Sequence, residues 1–245
     1  MNQQHKRSYC ADATWTGRAD CRHCSIRHMM LFSGLPELAF SDRLAPIDNF
    51  TFPTGTTLFT EGQDDGAVFS IRRGLVKLLS LTPGGDLRIV RLLGAGAAIG
   101  LEMLESGTHY RHTAVALNQV DACRIPASTM NGLSEEYPQL CRHTLHMLQH
   151  HLDRADQWIV TLGTGPARKR VARLLMLMLE YSADRDGNID LLGGSDMAAI
   201  VGTSVETVSR IIADMKRRQL LVKVRGNCYR GDPGGLQAIT GEQAL

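Results

Sequence analysis

From Tyr137 to about Thr161 the chain contains no glycine, and its apolar residues fall in one narrow line. Leu145, Leu148, Leu152, Ala155, Ile159 and Leu162 follow one another at intervals of three, four, three, four and three, the a/d seam of an α-helix that pairs with another. Pro138 suits the first turn of such a helix, where a missing N–H is harmless. Packing on the rest of the same chain is the other use for this face, but it usually calls for a broader apolar stripe. The spacing therefore predicts a dimerisation helix over residues 137–163, with the six seam residues facing a second copy. Asp153 and Asp156 flank the seam without entering it, so no acidic group within it opposes pairing.

The sequence differs on the two sides of this helix. Residues 50–126 consist of short runs of Val, Ile, Leu and Thr, separated by glycines at 55, 62, 66, 74, 84, 85, 94, 96 and 100. Runs of that length between glycine turns predict a β-barrel or β-roll, here placed at 33–136. Pro83-Gly84-Gly85-Asp86 is its plainest hairpin turn. Residues 1–32 show no sustained period and form a tail carrying Cys10, Cys21 and Cys24. After the long helix, the segment from Gly163 to Pro166 is a hinge, and Ala167–Tyr181 is a further helix with Val171, Leu174, Leu175 and Met178 on one face.

Residues 164–237 then carry a recognisable motif. Ser195 and Asp196 suit an N-cap and a first-turn acid, Gly202 suits a helix stop, and a second helix starts at Thr203 or Ser204 and continues to about Gln219. Helix, glycine turn and helix is the arrangement that presents a second helix to the DNA major groove. Val205, Val208, Ile212 and Met215 make its apolar face, while Glu206, Ser209 and Arg210 share another side. Arginine donates twice to guanine, glutamate accepts from cytosine N4, and serine bonds several base edges. An ion pair between Glu206 and Arg210, four residues apart, is the plainer explanation of two members of this set. Thr203, Lys216, Arg217 and Arg218 are placed to hold phosphates, and Ser204 and Thr207 complete the expected DNA-binding set. The segments at 220–224 and 228–230, around Arg225-Gly226-Asn227, predict a hairpin wing.

Charge supports this placement. The whole chain has a net charge of +2, yet residues 165–230 hold 12 Lys/Arg against 7 Asp/Glu, a surplus of five positive charges. A basic C-terminal third suits a module that meets double-stranded DNA. No run approaches the ~18 apolar residues of a membrane span, and the first twenty residues are unlike a signal sequence, so the expected location is the cytoplasm. Six cysteines scattered through 245 residues are expected to be metal ligands, redox thiols or core residues rather than a disulfide framework. No nucleophile and base set indicates an enzyme. His143, His146, His150 and His151 lack a carboxylate that would complete a metal site, and the glycines at 94, 96 and 100 are roll turns.

The order of parts resembles the Crp/Fnr superfamily of bacterial regulators along nearly the whole chain. Residues 59–77 resemble the family's sensory β-roll, and Thr203-Ser-Val-Glu206-Thr-Val-Ser209-Arg210 resembles the Fnr branch. The resemblance implies an α+β fold: an N-terminal cyclic-nucleotide-binding-like β-roll, a long dimerisation helix and a C-terminal winged helix-turn-helix. It implies a homodimer on a TTGAT-N4-ATCAA palindrome, with RNA polymerase as a further partner. It also implies a 4Fe–4S cluster for oxygen sensing, held by Cys21, Cys24 and Cys123. This chain departs from that pattern at Met30, where the branch has its third N-terminal cysteine. Cys10 would supply the missing thiolate in a C-x10-C-x2-C-x98-C spacing; His23, His28 or a redox pair of Cys21 with Cys24 are the alternatives. Cys141 and Cys228 lie outside the pattern. Other signals within the family are cyclic nucleotide, a haem-bound gas and thiol oxidation. Gly100-Leu101-Glu102 displaces the nucleotide-binding acid by one residue, although Arg111 retains a phosphate partner. The reading from a different class is a small-molecule-binding protein that regulates nothing.

Overall fold

Two units divide the chain, Met1–Ser80 with Leu92–Thr144 and Leu81–Arg91 with Leu145–Leu245. The computed structural model describes residues 12–29, 31–36, 47–81, 87–105, 107–184 and 186–241. Cys10, Met30 and the turn at residues 83–86 lie outside the described residues.

Among those described, the strands of the first half are β1 (Thr14–Arg18), β2 (Asp48–Phe52), β3 (Thr57–Phe59), β4 (Ala67–Arg73), β5 (Val76–Leu81), β6 (Leu87–Leu93), β7 (Ala98–Ile99), β8 (Thr113–Ala116) and β9 (Val120–Pro126). One sheet is ordered β1-β2-β9-β4-β7 and the other β3-β8-β5-β6. Side chains alternate across a strand, and this places Phe50 and Phe52, Phe69 and Ile71, Val120 and Ala122 in the roll interior. Phe59 stacks on Tyr110 with ring centroids 3.9 Å apart, and the Tyr110 hydroxyl donates to the Ala67 carbonyl at 2.7 Å. Gly74 is required here: it has φ 92°, and a Cβ would lie 2.3 Å from the Gln119 carbonyl oxygen.

The same alternation puts Asn49, Ser70 and Cys123, cross-strand neighbours, on the opposite face of the first sheet. That face is covered. Leu31, Phe32 and Leu35 of the preceding segment are all buried, and Phe32 lines a cavity together with Ser70, Cys123 and Ile125. Burying each such side chain contributes roughly 1.5–3 kcal/mol. Residues 12–36 thus contain more structure than a tail without periodicity suggests. β1 pairs antiparallel with β2, and the Trp15 indole donates to Asp48 at 3.0 Å. Five residues are too few to show a period.

Two helices follow β9: α1 (Ala127–Glu136), which the sequence did not disclose, and α2 (Pro138–Gly163). α1 buries only Ala127, Met130 and Leu133, one contact per turn, so its amphipathic signal is weak. In the second unit come α3 (Ala167–Ser182), β10 (Asn188–Asp190), α4 (Gly194–Val201), α5 (Val205–Arg217), β11 (Leu221–Arg225), β12 (Cys228–Gly231) and α6 (Pro233–Thr240). Its core joins Val171, Leu174, Leu175 and Met178 with Met197, Ile200, Val208, Ile212, Met215 and Leu236. The three strands are ordered β10-β12-β11 and form the wing. Beyond it α6 begins with Pro233 in its first turn and packs on α3.

Three expectations need correction. α4 starts at Gly194 with Gly193 in the cap position, so Ser195 lies inside the first turn and caps nothing. Val205, the first residue of α5, is 47% exposed and so does not share the buried face of Val208, Ile212 and Met215. Leu162 is fully buried within its own chain, so it is unavailable to a second copy.

Candidate functional site

The turn between α4 and α5 is fixed from both sides. Gly202 closes α4 in the left-handed conformation at φ 63°. Helix C-termini leave carbonyls without intrahelical donors, and Arg170 on α3 meets them: its Nε donates to the Val201 oxygen at 2.7 Å and its Nη2 to the Gly202 oxygen at 3.3 Å. A further nitrogen of Arg170 donates to the Gly165 carbonyl. α5 then starts at Ser204, whose Oγ accepts the Thr207 N–H at 3.3 Å.

With that start fixed, α5 buries Val208, Ile212 and Met215 and exposes Glu206, Ser209 and Arg210. No ion pair among the described residues joins Glu206 to Arg210; the Arg210 Nη2 instead donates to Thr207 Oγ1 at 3.4 Å. The Glu206 carboxyl sits below its usual pKa, because its own backbone N–H and the Ser204 hydroxyl stabilise the anion and Arg210 adds positive charge. It is therefore an acceptor at neutral pH, which reading cytosine N4 requires.

Basic residues around α5 are partly held. Asp214 contacts Arg168 at 2.8 Å, Arg218 at 3.0 Å and Arg217 at 3.3 Å. Burial would raise its carboxyl, but the Arg217 hydrogen bond and the charges of Arg218 and Arg168 outweigh it, leaving the pKa lowered. Arg217 and Arg218 remain largely exposed despite this contact. Lys216 donates to the Tyr229 hydroxyl at 2.8 Å and lies 4.2 Å from the ring centroid, so it braces α5 against β12. Thr203 is half-buried beside the turn. Lys223, Arg225 and Arg230 are exposed on the wing. The sequence reading had not singled them out as phosphate contacts, although a basic residue at alternate positions of a hairpin was the available signal.

A second site lies in the first unit. Cys21 and Cys24, from the N-terminal segment, and Cys123, from β9, line one cavity of about 250 Å³ together with Arg18, Asp20, His23, Arg27 and Arg72. The Cys123 thiol donates to Asn49 Oδ1 at 3.2 Å. Burial pushes the Cys21 thiol up to about 11, with the neighbouring Cys24 adding to the effect, and burial pushes Cys123 up to about 12. Thiols from two chain segments, with arginines on the same cavity, are the donor type that an iron–sulfur cluster takes. Cys141 is exposed on α2 and Cys228 is half-buried in the wing, both away from this cavity.

Along α2, Leu145, Leu148, Leu152 and Ile159 are exposed, Ala155 is half-buried, and Val160 adds apolar surface. Near the start of that helix, His143 Nε2 meets Ser33 Oγ at 3.1 Å. In the roll, Glu102 Oε1 accepts the Arg111 backbone N–H at 3.1 Å. A Cβ on Gly100 would lie 2.8 Å from the Tyr110 ring, so an aromatic side chain fills the space beside the displaced nucleotide motif. Among the described residues no helix is long and apolar enough to cross a membrane.

Two family models match the chain. Residues 49–137 match the model of the cyclic nucleotide-binding domain, and residues 169–239 match that of the Crp-like helix-turn-helix domain. The chain is similar to the nitrogen fixation regulation protein FixK of Bradyrhizobium diazoefficiens, 27% identical over 89% of this chain and 93% of that protein. It is equally similar, at 27%, to the transcriptional activator protein anr of Pseudomonas aeruginosa over 92% and 94%. The fumarate and nitrate reduction regulatory protein of Escherichia coli is 26% identical over 82% of each chain. Among solved structures, FixK2 from Bradyrhizobium japonicum has the same fold, with a TM-score of 0.68 at 21% identity over 81% of this chain and 99% of that one.

Proposed function

This chain belongs to the Crp/Fnr superfamily of transcription regulators, non-catalytic proteins that bind DNA, and on that premise we propose that it binds TTGAT-N4-ATCAA-like sites as a homodimer and responds to oxygen or redox state through a cluster at the cysteine cavity. The observation that carries the DNA reading is the exposed set of Glu206, Ser209 and Arg210, standing opposite the buried Val208, Ile212 and Met215 on a helix with a fixed start. In this reading Arg210 donates to guanine, Glu206 accepts from cytosine and Ser209 bonds a neighbouring base edge. Arg217, Arg218, Lys223 and Arg225 hold phosphates. The exposed apolar line of α2 supports pairing, which sets two recognition helices about 34–36 Å apart on a two-fold operator. RNA polymerase is the further partner of a regulator bound in this way.

For sensing, the supporting observation is the convergence of Cys21, Cys24 and Cys123 on one cavity. An iron–sulfur cluster supplies oxygen-labile, redox-active chemistry when bound through such thiolates. The chain's own residues offer a route onward. Arg27 beside the cysteines donates to the Leu35 carbonyl at 3.0 Å, and Ser33 between them meets His143 on α2. The state of the cysteine segment thereby reaches the helix that pairs.

Two measurements test these readings. Fluorescence anisotropy at several salt concentrations should give tighter binding to the palindrome than to a scrambled duplex, and equal affinity would defeat the DNA reading. Anaerobic reconstitution followed by iron and sulfide analysis tests the sensor. A colourless, iron-free product rules it out.

A further inference from the structure

Three cysteines line the cavity, and a four-iron cluster needs a ligand for its remaining iron. His23 lines the same cavity, between Cys21 and Cys24 in the chain. Its orientation is not left to chance. Asp20 accepts the backbone N–H groups of Arg22 and His23 through Oδ1, each at 3.2 Å, and its Oδ2 lies 2.8 Å from His23 Nδ1. An ionised carboxylate only accepts, so Nδ1 carries the proton of this bond. With Nδ1 taken up by Asp20, Nε2 is the ring nitrogen left to meet a ligand. A carboxylate that fixes Nδ1–H and frees Nε2 is the usual support of a metal-binding histidine.

We propose that His23, held by Asp20, is the fourth ligand of the group bound by Cys21, Cys24 and Cys123. This rests on the cluster reading above and concerns the position opened by methionine at residue 30. The His23 side chain lines the cavity and is 83% exposed. Binding through the cysteines requires the thiolate form. Nitrogen in place of sulfur also leaves the site one negative charge poorer than a four-thiolate site, which raises its reduction potential.

The test uses the full chain, labelled with ¹⁵N-histidine and reconstituted anaerobically with ferrous iron and sulfide. Electron–nuclear hyperfine spectra of the reduced product should show a strongly coupled nitrogen that changes with the isotope and disappears in His23→Ala. Cys10→Ala should keep its iron. His23→Cys should bind a full complement of iron without the nitrogen signal, which separates ligand loss from misfolding. Asp20→Asn, a change to a positioning residue, should weaken iron retention by ~10–100-fold while the nitrogen signal persists. Full iron loading with no nitrogen coupling, abolished by Cys10→Ala and untouched by His23→Ala, would overturn this assignment and leave the cluster reading intact. Failure of every variant and of the parent chain to take up iron would overturn both.

Discussion

Ser33 Oγ and His143 Nε2 lie 3.1 Å apart, joining the segment after the cysteine pair to the second turn of α2. A hydrogen bond of this kind contributes about 1 kcal/mol net, which is roughly a fivefold change in an equilibrium. If it carries the state of the cysteine segment, His143→Ala should leave iron and sulfide content unchanged. The ratio of DNA affinities between reconstituted and metal-free protein should shrink by about fivefold in an anaerobic anisotropy titration. An unchanged ratio removes this bond from the route.

Base reading and phosphate holding separate in their salt dependence. Arg210→Ala should cost ~1–3 kcal/mol on the palindrome and little on scrambled DNA, flattening discrimination. Arg225→Ala, on the exposed face of β11, should weaken both duplexes alike and reduce the slope of log affinity against log salt by about 1. The opposite pattern would exchange the roles assigned to α5 and the wing.

The seam of α2 gives a contrast between neighbouring residues. Ile159 is 69% exposed and Leu162 is fully buried in the same chain. Ile159→Ala should therefore leave the stability of an isolated chain within ~0.5 kcal/mol while raising the dissociation constant of the dimer, as read by sedimentation equilibrium. Leu162→Ala should cost ~2–5 kcal/mol of folding stability. Equal sedimentation behaviour of Ile159→Ala and the parent would show that this face does not pair.

The helical half was the more legible part of the sequence. The seam of α2 and the apolar line of α5 repeat often enough to define a face, and Gly202 marks a stop that only a left-handed residue makes easily. Leu162 and Val205 fit those patterns numerically but sit at helix ends, where what the neighbouring chain covers decides exposure, and spacing carries no record of that. β1, α1 and α6 were missed because each is too short for a period to emerge. The cysteines were legible as residues. Their meeting was not, since it depends on β9 pairing with both β2 and β4 so that Cys123 faces the N-terminal segment. Lys216 shows the remaining gap: its charge was legible, but its bond to Tyr229, thirteen residues away, was not.

His151 makes acid stability a measurable property of the second unit. Burial is the main reason its pKa falls to about 4, and the electrostatic influence of Arg91, His150 and Arg154 adds to it. Nearby, Arg154 Nε donates to His150 Nε2 at 2.9 Å, while its Nη2 meets Glu180 at 3.0 Å. The folded state therefore keeps His151 neutral at pH values where an unfolded chain, with a histidine pKa of ~6.5, takes up a proton. Stability from this residue is fully present above about pH 6.5. It declines as pH falls from there to about 4 and changes no further below that, for a total of ~3 kcal/mol at most. Urea unfolding of the parent chain at about pH 7 and pH 5 should show a loss of roughly 2 kcal/mol that His151→Leu lacks. A substitution that leaves the pH dependence unaltered would mean that His151 titrates normally in the folded chain and that its surroundings admit water.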